Sequence, residues 1–458
     1  MSPYLIGRLA PVLALACASA LPAAEPAPST PSPIDRALAD SATAPTAERR
    51  ATDPAPRLRL IDLSLNILAA AGGSTATDEE IDTLEAGGHD PKRRGFTLQA
   101  VELSLAGAVD PYFAAEAHIV LGEEGIELEE AFARSTSLPA GLQVKVGKYL
   151  TAFGRVNPTH AHTWAWVDQP VIASRLLGPD GMRSTGAQLG WLVPTPFYSQ
   201  VIVGLQNAND ESLASFNGEA GGHHHGDEED GDEQAAGGYP RIYADEVGNL
   251  GDMLWSARVE SFFATGGDAG LALGVSGALG PNPASADGTR LYGADLRWKW
   301  TPPGRPWSFV AFTTEVIGRD YAADGFTAVP LGPDGTPDSG DEVPLTVAGT
   351  TLTDWGLYAQ LEWGFLPGWS AGLRGEYATG SGETVHTDEE DVEFSRADDP
   401  MRDDRVRLGP VVTWRMSEYS RLRLQYNYDR ADHLPDGHAS SIWLGFEALI
   451  GAHPAHGY

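Results

Sequence analysis

The chain has 458 residues, a formal net charge of -32 and 42% hydrophobic residues, a balance that fits neither a disordered polyanion nor a nucleic-acid-binding protein. After residue 20 there is no run of about 18 or more apolar residues, which argues against a bundle of membrane-spanning helices. The 53 glycines and 33 prolines point to many turns.

At the N-terminus, Arg8 is followed by an apolar stretch from Leu9 to Cys17 and by the small residues Ala18-Ser19-Ala20. Residues 1–20 therefore read as a secretory signal. The single cysteine, Cys17, lies inside it. A lipoprotein signal would place Leu three residues earlier, where Ala14 stands, so the mature chain is expected to have no cysteine and no disulfide. Residues 21–56 are rich in Ala, Pro, Ser and Thr and lack any period. They read as a flexible periplasmic lead, too short for a plug domain.

From Arg57 to the end, about sixteen alternating segments follow, each near the roughly 9–11 residues of a tilted transmembrane strand. They are 57–69, 95–108, 112–121, 126–136, 141–150, 184–193, 197–207, 252–264, 269–279, 289–300, 306–318, 352–365, 369–379, 404–415, 419–430 and 440–451. Arg421-Leu422-Arg423-Leu424-Gln425-Tyr426-Asn427-Tyr428-Asp429 shows the pattern without a break. Side chains alternate across a strand, so one face carries Leu and Tyr for lipid and the other Arg, Gln, Asn and Asp for water.

The connections alternate as well. Those after even segments are short, as at Val109-Asp110-Pro111 and Leu366-Pro367-Gly368, whereas most of those after odd segments are long, as at 70–94, 151–183 and 208–251. Short periplasmic turns and long external loops are the habit of outer-membrane barrels. Trp191, Trp298, Trp300, Trp307, Trp363, Trp369 and Trp414 gather beside the short turns, as an interfacial aromatic girdle would. The expected fold is all-β: a transmembrane antiparallel β-barrel of about 16 strands over residues 57–458, without a plug domain, in the bacterial outer membrane.

Several stretches resemble a porin-type family of Gram-negative outer-membrane proteins. They include Val109-Asp110-Pro111-Tyr112-Phe113, Glu129-Glu130-Ala131-Phe132, Gly147-Lys148-Tyr149, Phe153-Gly154-Arg155-Val156-Asn157-Pro158 and Asp168-Gln169-Pro170. Members are often labelled zinc-regulated or TonB-dependent receptors. The resemblance implies a porin-like barrel and, through that label, a connection to metal. This chain has no room for the plug that a TonB-dependent receptor carries.

The alternation places Arg258, Arg297, Lys299, Arg374, Arg405, Arg407, Arg421 and Arg423 on the lumen side of the later strands, with Glu102 and Glu116 among the acids of the early ones. Such separation either sets a transverse field across a pore or is tied up in salt bridges that stiffen the wall. The connection 151–183 is the candidate constriction, because Arg155, Asn157, His160, His162, Trp164 and Asp168 make it too aromatic for a solvated loop. His160 and His162 offer either two metal nitrogens or hydrogen bonds within a packed loop.

His223, His224 and His225, followed by Asp227 and Glu228, form a run that either captures zinc weakly or is a solvated loop. No other cofactor is expected. Acidic loops such as Asp78-Glu79-Glu80 concentrate cations at the mouth, bridge to lipopolysaccharide through divalent ions, or serve solubility.

The chain has no Gly-x-Ser-x-Gly, His-Glu-x-x-His or phosphate-loop motif, so no enzyme activity is expected. The expected function is a passive channel for small hydrophilic solutes or ions, with a receptor or uptake route for a divalent metal such as zinc as the alternative. Expected partners are outer-membrane lipid, lipopolysaccharide and the solutes, with a porin-like homotrimer as the assembly.

Overall fold

Alternating side chains build strands, and in the computed structural model those strands close on themselves. The structure describes residues 61–451 except 124, 219–234, 244–245, 306, 329–343, 388–391 and 397–401. The expected signal, the lead, the first residues of the expected first strand and the His223–Glu228 run all lie outside the described residues.

In chain order the strands are β1 (Asp62–Ser74), β2 (Gly95–Ala108), β3 (Phe113–Leu121), β4 (Ile126–Ser135), β5 (Leu142–Leu150), β6 (Arg183–Leu192) and β7 (Tyr198–Asn207). Next come β8 (Met253–Gly266), β9 (Ala269–Asn282), β10 (Ser285–Trp300), β11 (Phe309–Ala323), β12 (Phe326–Ala328), β13 (Leu345–Val347) and β14 (Thr350–Leu366). The last are β15 (Trp369–Ser381), β16 (Glu383–Thr387), β17 (Val392–Arg396), β18 (Arg405–Ser417), β19 (Ser420–Ala431) and β20 (His438–Gly451). Short helices α1 (Asp78–Asp82) and α2 (Val171–Leu177) lie in the β1–β2 and β5–β6 connections.

Sixteen strands form the closed antiparallel barrel, in which each pairs with the next and β1 pairs with β20. The pairs β12–β13 and β16–β17 are two-stranded hairpins outside that ring. Among the described residues no plug domain is present.

Along β19 the expected alternation holds residue by residue: Arg421, Arg423, Gln425, Asn427 and Asp429 are buried, while Leu424, Tyr426 and Tyr428 are exposed. Leu373, Leu408, Leu444, Ile442 and Phe446 on neighbouring strands are exposed too. This outward apolar band faces lipid, as in an outer-membrane barrel. Trp191, Trp363, Trp369 and Trp414 lie exposed near the short turns, and the rings of Trp369 and Trp414 stack with centroids 5.5 Å apart.

Several strand ends run past the sequence expectation, and at two places the reason is local. β1 runs on to Ser74 through Ala69-Ala70-Ala71-Gly72-Gly73, where apolar alternation is lost. Its partner β20 supplies the bulk there, and a Cβ at Gly72 would collide with the Trp443 ring. The expected loop at 280–288 shrinks because β9 and β10 extend towards each other. Asn282 Oδ1 accepts from the Ala284 and Ser285 amides at 2.9 and 2.8 Å and so turns the chain tightly.

Candidate functional site

The connection between β5 and β6, residues 151–182, lies inside the barrel. Its composition accounts for this. Phe153, Trp166, Val167, Val171, Ile172, Leu176 and Leu177 are buried, and so much apolar surface is stabilised by leaving water. Asn157 closes the neck of the loop: its Nδ2 donates to Thr151 O at 2.8 Å and Met182 O at 2.9 Å, and its Oδ1 accepts from Met182 N at 2.6 Å.

The apolar side chains seat on strand glycines. A Cβ at Gly356 would lie 2.7 Å from Ile172 Cδ1, and one at Gly372 would lie 2.9 Å from Trp166 Cη2. These glycines let the loop approach the wall closely, which any larger residue would prevent.

Polar anchors then fix the loop along the arc of wall from β9 to β19. Ser276 of β9 accepts from Gly154 N at 2.9 Å, and Glu315 of β11 accepts from Arg155 N at 3.0 Å. Glu376 of β15 accepts from Val171 N at 2.7 Å. Trp166 Nε1 donates to Gly409 O of β18 at 2.8 Å, and Gln425 of β19 accepts from Val167 N at 2.7 Å. Arg423 donates to Trp164 O at 3.0 Å and Trp166 O at 2.6 Å, while Arg421 reaches His162 O.

Asp168 is the hub of this network. One carboxylate oxygen pairs with Arg374, and the other lies 3.2 Å from Arg407 Nη1 and accepts from Asn427 Nδ2 at 2.7 Å. Burial works to raise its pKa, but the guanidiniums of Arg374 and Arg407 outweigh that and hold it below the usual carboxylate range.

Asp90, from the first long connection, accepts from Gly87 N at 2.7 Å and Gln169 N at 2.9 Å. A cavity of about 30 Å³ is bordered by both aspartates, Arg407 and Asn427. Burial, and then the Asp168 charge, push the Asp90 carboxyl up to about 7, against the two amide bonds and Arg407.

A released Asp90 ionises near the ordinary carboxyl value of about 3.9. Between about 4 and about 7, therefore, the docked state holds a proton on Asp90 that the released state does not. Docking is expected to weaken as pH rises through that window and to level off above it. Hydrogen exchange of the 151–182 amides, corrected for its intrinsic pH dependence, should quicken from pH 5 to pH 8 and lose that dependence in Asp90→Asn. The same pH dependence in the variant would refute this.

The lumen residues named from sequence fall into two groups. Near the loop, Arg374 pairs with Asp168 and Glu376, Arg405 with Glu85 and Asp429, Arg407 with Asp168 and Asp429, and Arg421 with Glu447. Arg258 pairs with Asp295 at 2.6 Å and Glu260 at 2.9 Å.

Towards the short-turn end the charges are more open. Glu116 pairs with Arg134 at 2.7 Å, with the two side chains 23% and 44% exposed. Arg297 donates to Thr313 Oγ1 at 3.1 Å and lies 3.9 Å from Glu362, and Lys299 stands 5.5 Å from the Phe309 ring centroid. In the loop, Trp164 Nε1 donates to Thr159 Oγ1 at 3.1 Å, and the half-buried Arg155 has its pKa lowered by burial and by Arg297.

Glu102, His160 and His162 come together with Glu129, which the alternation also turns inward, and with Glu130, His118 and His89, which sequence reasoning did not name as site residues. His162 Nδ1 lies 2.8 Å from Glu102 Oε2. His160 places Nδ1 2.8 Å from Glu129 and Nε2 3.0 Å from Glu130. His118 Nδ1 lies 3.0 Å from Glu102 Oε1, and His89 Nε2 lies 3.8 Å from Glu129. Burial disfavours a charged His160, yet Glu129 and Glu130 outweigh it and raise its pKa well above the ordinary value.

His118 stands two residues after Glu116, in phase with the expected lumen face, so the alternation does contain it. Glu130 is out of phase with Glu129. A β-bulge opposite His118 inserts Glu129 as an extra residue in β4, so consecutive glutamates both turn inward. No pattern of alternation would predict that.

No family model matches the chain. It is 29% identical over 421 residues to an uncharacterized protein of Aquifex aeolicus (strain VF5), which covers 87% of this chain and 80% of the other. Among solved structures, OprB of Pseudomonas putida is similar at 10% identity, covering 85% of this chain and 94% of the other, with a TM-score of 0.49. The outer membrane channel DcaP of Acinetobacter baumannii is similar at 10% identity, covering 85% and 97%, with a TM-score of 0.47.

Proposed function

We propose that the barrel is an outer-membrane channel for the passive diffusion of small hydrophilic solutes or ions, with the connection 151–182 as its constriction. The observation that carries this reading is the charged lining on the short-turn side of the loop. Glu116, Arg134, Glu260 and Arg297 point into the lumen there with side chains 23%, 44%, 31% and 25% exposed. Ionised groups on the inside of a lipid-embedded wall call for water in that half of the lumen.

Both signs of charge line this vestibule, which suits polar solutes better than one class of ion. Arg155 hangs from the loop towards Arg297, Glu260 and Asp295, where it faces anything passing the constriction.

Planar-bilayer recording of the refolded protein should show stepwise conductance. Silence from protein with barrel β-sheet content would reject the channel reading. Chemical cross-linking in lipid tests the accompanying expectation of a trimer, in which the exposed apolar bands of neighbouring copies would meet. The alternative of a receptor for a divalent metal loses its His223–Glu228 run to the undescribed residues. The histidines inside the barrel bear on metal in a different way.

A further inference from the structure

We infer that Glu102 of β2, His118 of β3 and His160 of the constriction loop form a binding site for a divalent transition-metal ion of the zinc class, which ties the loop to the wall. Each contributes a donor atom, and these donors lie within 4.8 Å of one another. Glu102 Oε1 is 3.0 Å from His118 Nδ1 and 3.7 Å from His160 Nδ1. Tetrahedral zinc, with bonds of about 2.0–2.1 Å, places its donors about 3.3 Å apart. Those two edges need to move by only a few tenths of an ångström, and the rings of His118 and His160, with centroids 4.4 Å apart, close the third by rotation.

The surroundings fit a metal centre as well as the donors do. If His160 Nδ1 takes the ion, its Nε2–H donates to Glu130 across 3.0 Å, the carboxylate–histidine arrangement that fixes a ligating ring. His162 on Glu102 Oε2, and Ser104 Oγ at 2.9 Å from Oε1, orient the ligating carboxylate. Glu129 Oε2, 2.8 Å from His160 Nδ1, is placed to serve as a fourth donor.

Charge points the same way. The side chains of Glu102, Glu129 and Glu130 are 6%, 5% and 8% exposed and face neutral-capable imidazoles. Arg183, 4.0 Å from Glu129, is already bonded to Glu127. Three buried carboxylates call for more positive charge than the single imidazolium at His160 gives, and a divalent ion on a mixed nitrogen and oxygen donor set supplies it. Imidazole with carboxylate selects zinc, nickel or copper over calcium and magnesium.

The site also has a mechanical consequence. One ligand lies on the loop and two on the wall, so the ion acts as a clasp at a second stretch of wall, β2 and β3, separate from the strands β15, β18 and β19 that hold Asp168. Metal binding is measured without current, and current without metal, so the site and the channel reading stand or fall separately.

The test uses the full refolded chain carrying His223→Ala, His224→Ala and His225→Ala, so that the His223–Glu228 run cannot report. Calorimetric titration with Zn²⁺ should show saturable binding at one ion per chain, with no comparable binding of Ca²⁺. Glu102→Gln, or His118→Ala with His160→Ala, should weaken it at least tenfold while the β-sheet circular dichroism stays unchanged. Absence of saturable Zn²⁺ binding, or binding unaltered by these changes, would overturn the inference. Should the variants lose the barrel, anomalous diffraction at the zinc edge from the unaltered chain decides: an ion between Glu102, His118 and His160 supports the site, and an ion elsewhere rejects it.

Discussion

Asp168→Ala is expected to release the middle of the loop 151–182 from the β15–β19 wall and, if that loop is the proposed constriction, to raise the single-channel conductance. The side chain is 5% exposed and takes bonds from Arg374, Arg407 and Asn427. Removing one partner of a buried pair costs about 3–5 kcal/mol, because the remaining charge is stranded. Here the arginines keep second partners, with Arg374 2.7 Å from Glu376 and Arg407 2.7 Å from Asp429. The cost should therefore fall near about 3 kcal/mol, the low end of that range.

At about 1.4 kcal/mol per tenfold, this is a more than hundredfold rise in the population of the released loop. Bilayer recordings should show larger steps or long-lived wide states, and Asp168→Asn should behave more mildly because it keeps an oxygen for Asn427. Unchanged step size in Asp168→Ala would show that Asp168 does not hold the constriction in place.

Arg423→Glu should have a comparable effect and should also change ion preference. Arg423 donates to the carbonyls of Trp164 and Trp166 and has Glu447 at 3.7 Å. A glutamate there offers no donor to either carbonyl and sets a second carboxylate beside Glu447, which costs several kcal/mol in a buried site. The segment around Trp164 and Trp166 is expected to leave β18 and β19, and the exposed acids should favour cations. Reversal potentials across a KCl gradient give the outcome: a shift towards cations in Arg423→Glu, larger with Arg421→Glu added. Identical reversal potentials for both proteins would remove these arginines from any role in permeation.

The strands and their parity were legible in the sequence because both depend on neighbours a few residues apart. Period-two alternation from Arg421 to Asp429 sets which face meets lipid, and Pro-Gly pairs such as Pro367-Gly368 set the short turns. The inward placement of the loop was also legible from its aromatic content and its Asn157.

The partners of the lumen charges were not legible. Asp168 meets Arg374, Arg407 and Asn427 across 206, 239 and 259 residues of chain, and nothing local to either side records the pairing. The arginines of the later strands read equally as a field-setting wall or as salt bridges, and the structure shows Arg374, Arg405, Arg407 and Arg421 bonded to acids and Arg423 to loop carbonyls. The histidine–glutamate cluster was half visible. Glu102, His160 and His162 stood out on their own, but the bulge that turns Glu130 inward breaks the very alternation used to read the strand.

The pairing of β1 with β20 bears on how the molecule is assembled. Until the last strand arrives, the first presents an unpaired edge, and so does the growing end of the sheet. The loop that crosses the lumen is made early, but its seats at Gly372, Gly409 and Arg423 come from strands made late. Seating must therefore follow the formation of most of the wall, and contacts of such long sequence separation are slow to form. The newly closed cylinder should pass through a stage in which its interior is open. The arriving loop then also narrows the opening that insertion has just made.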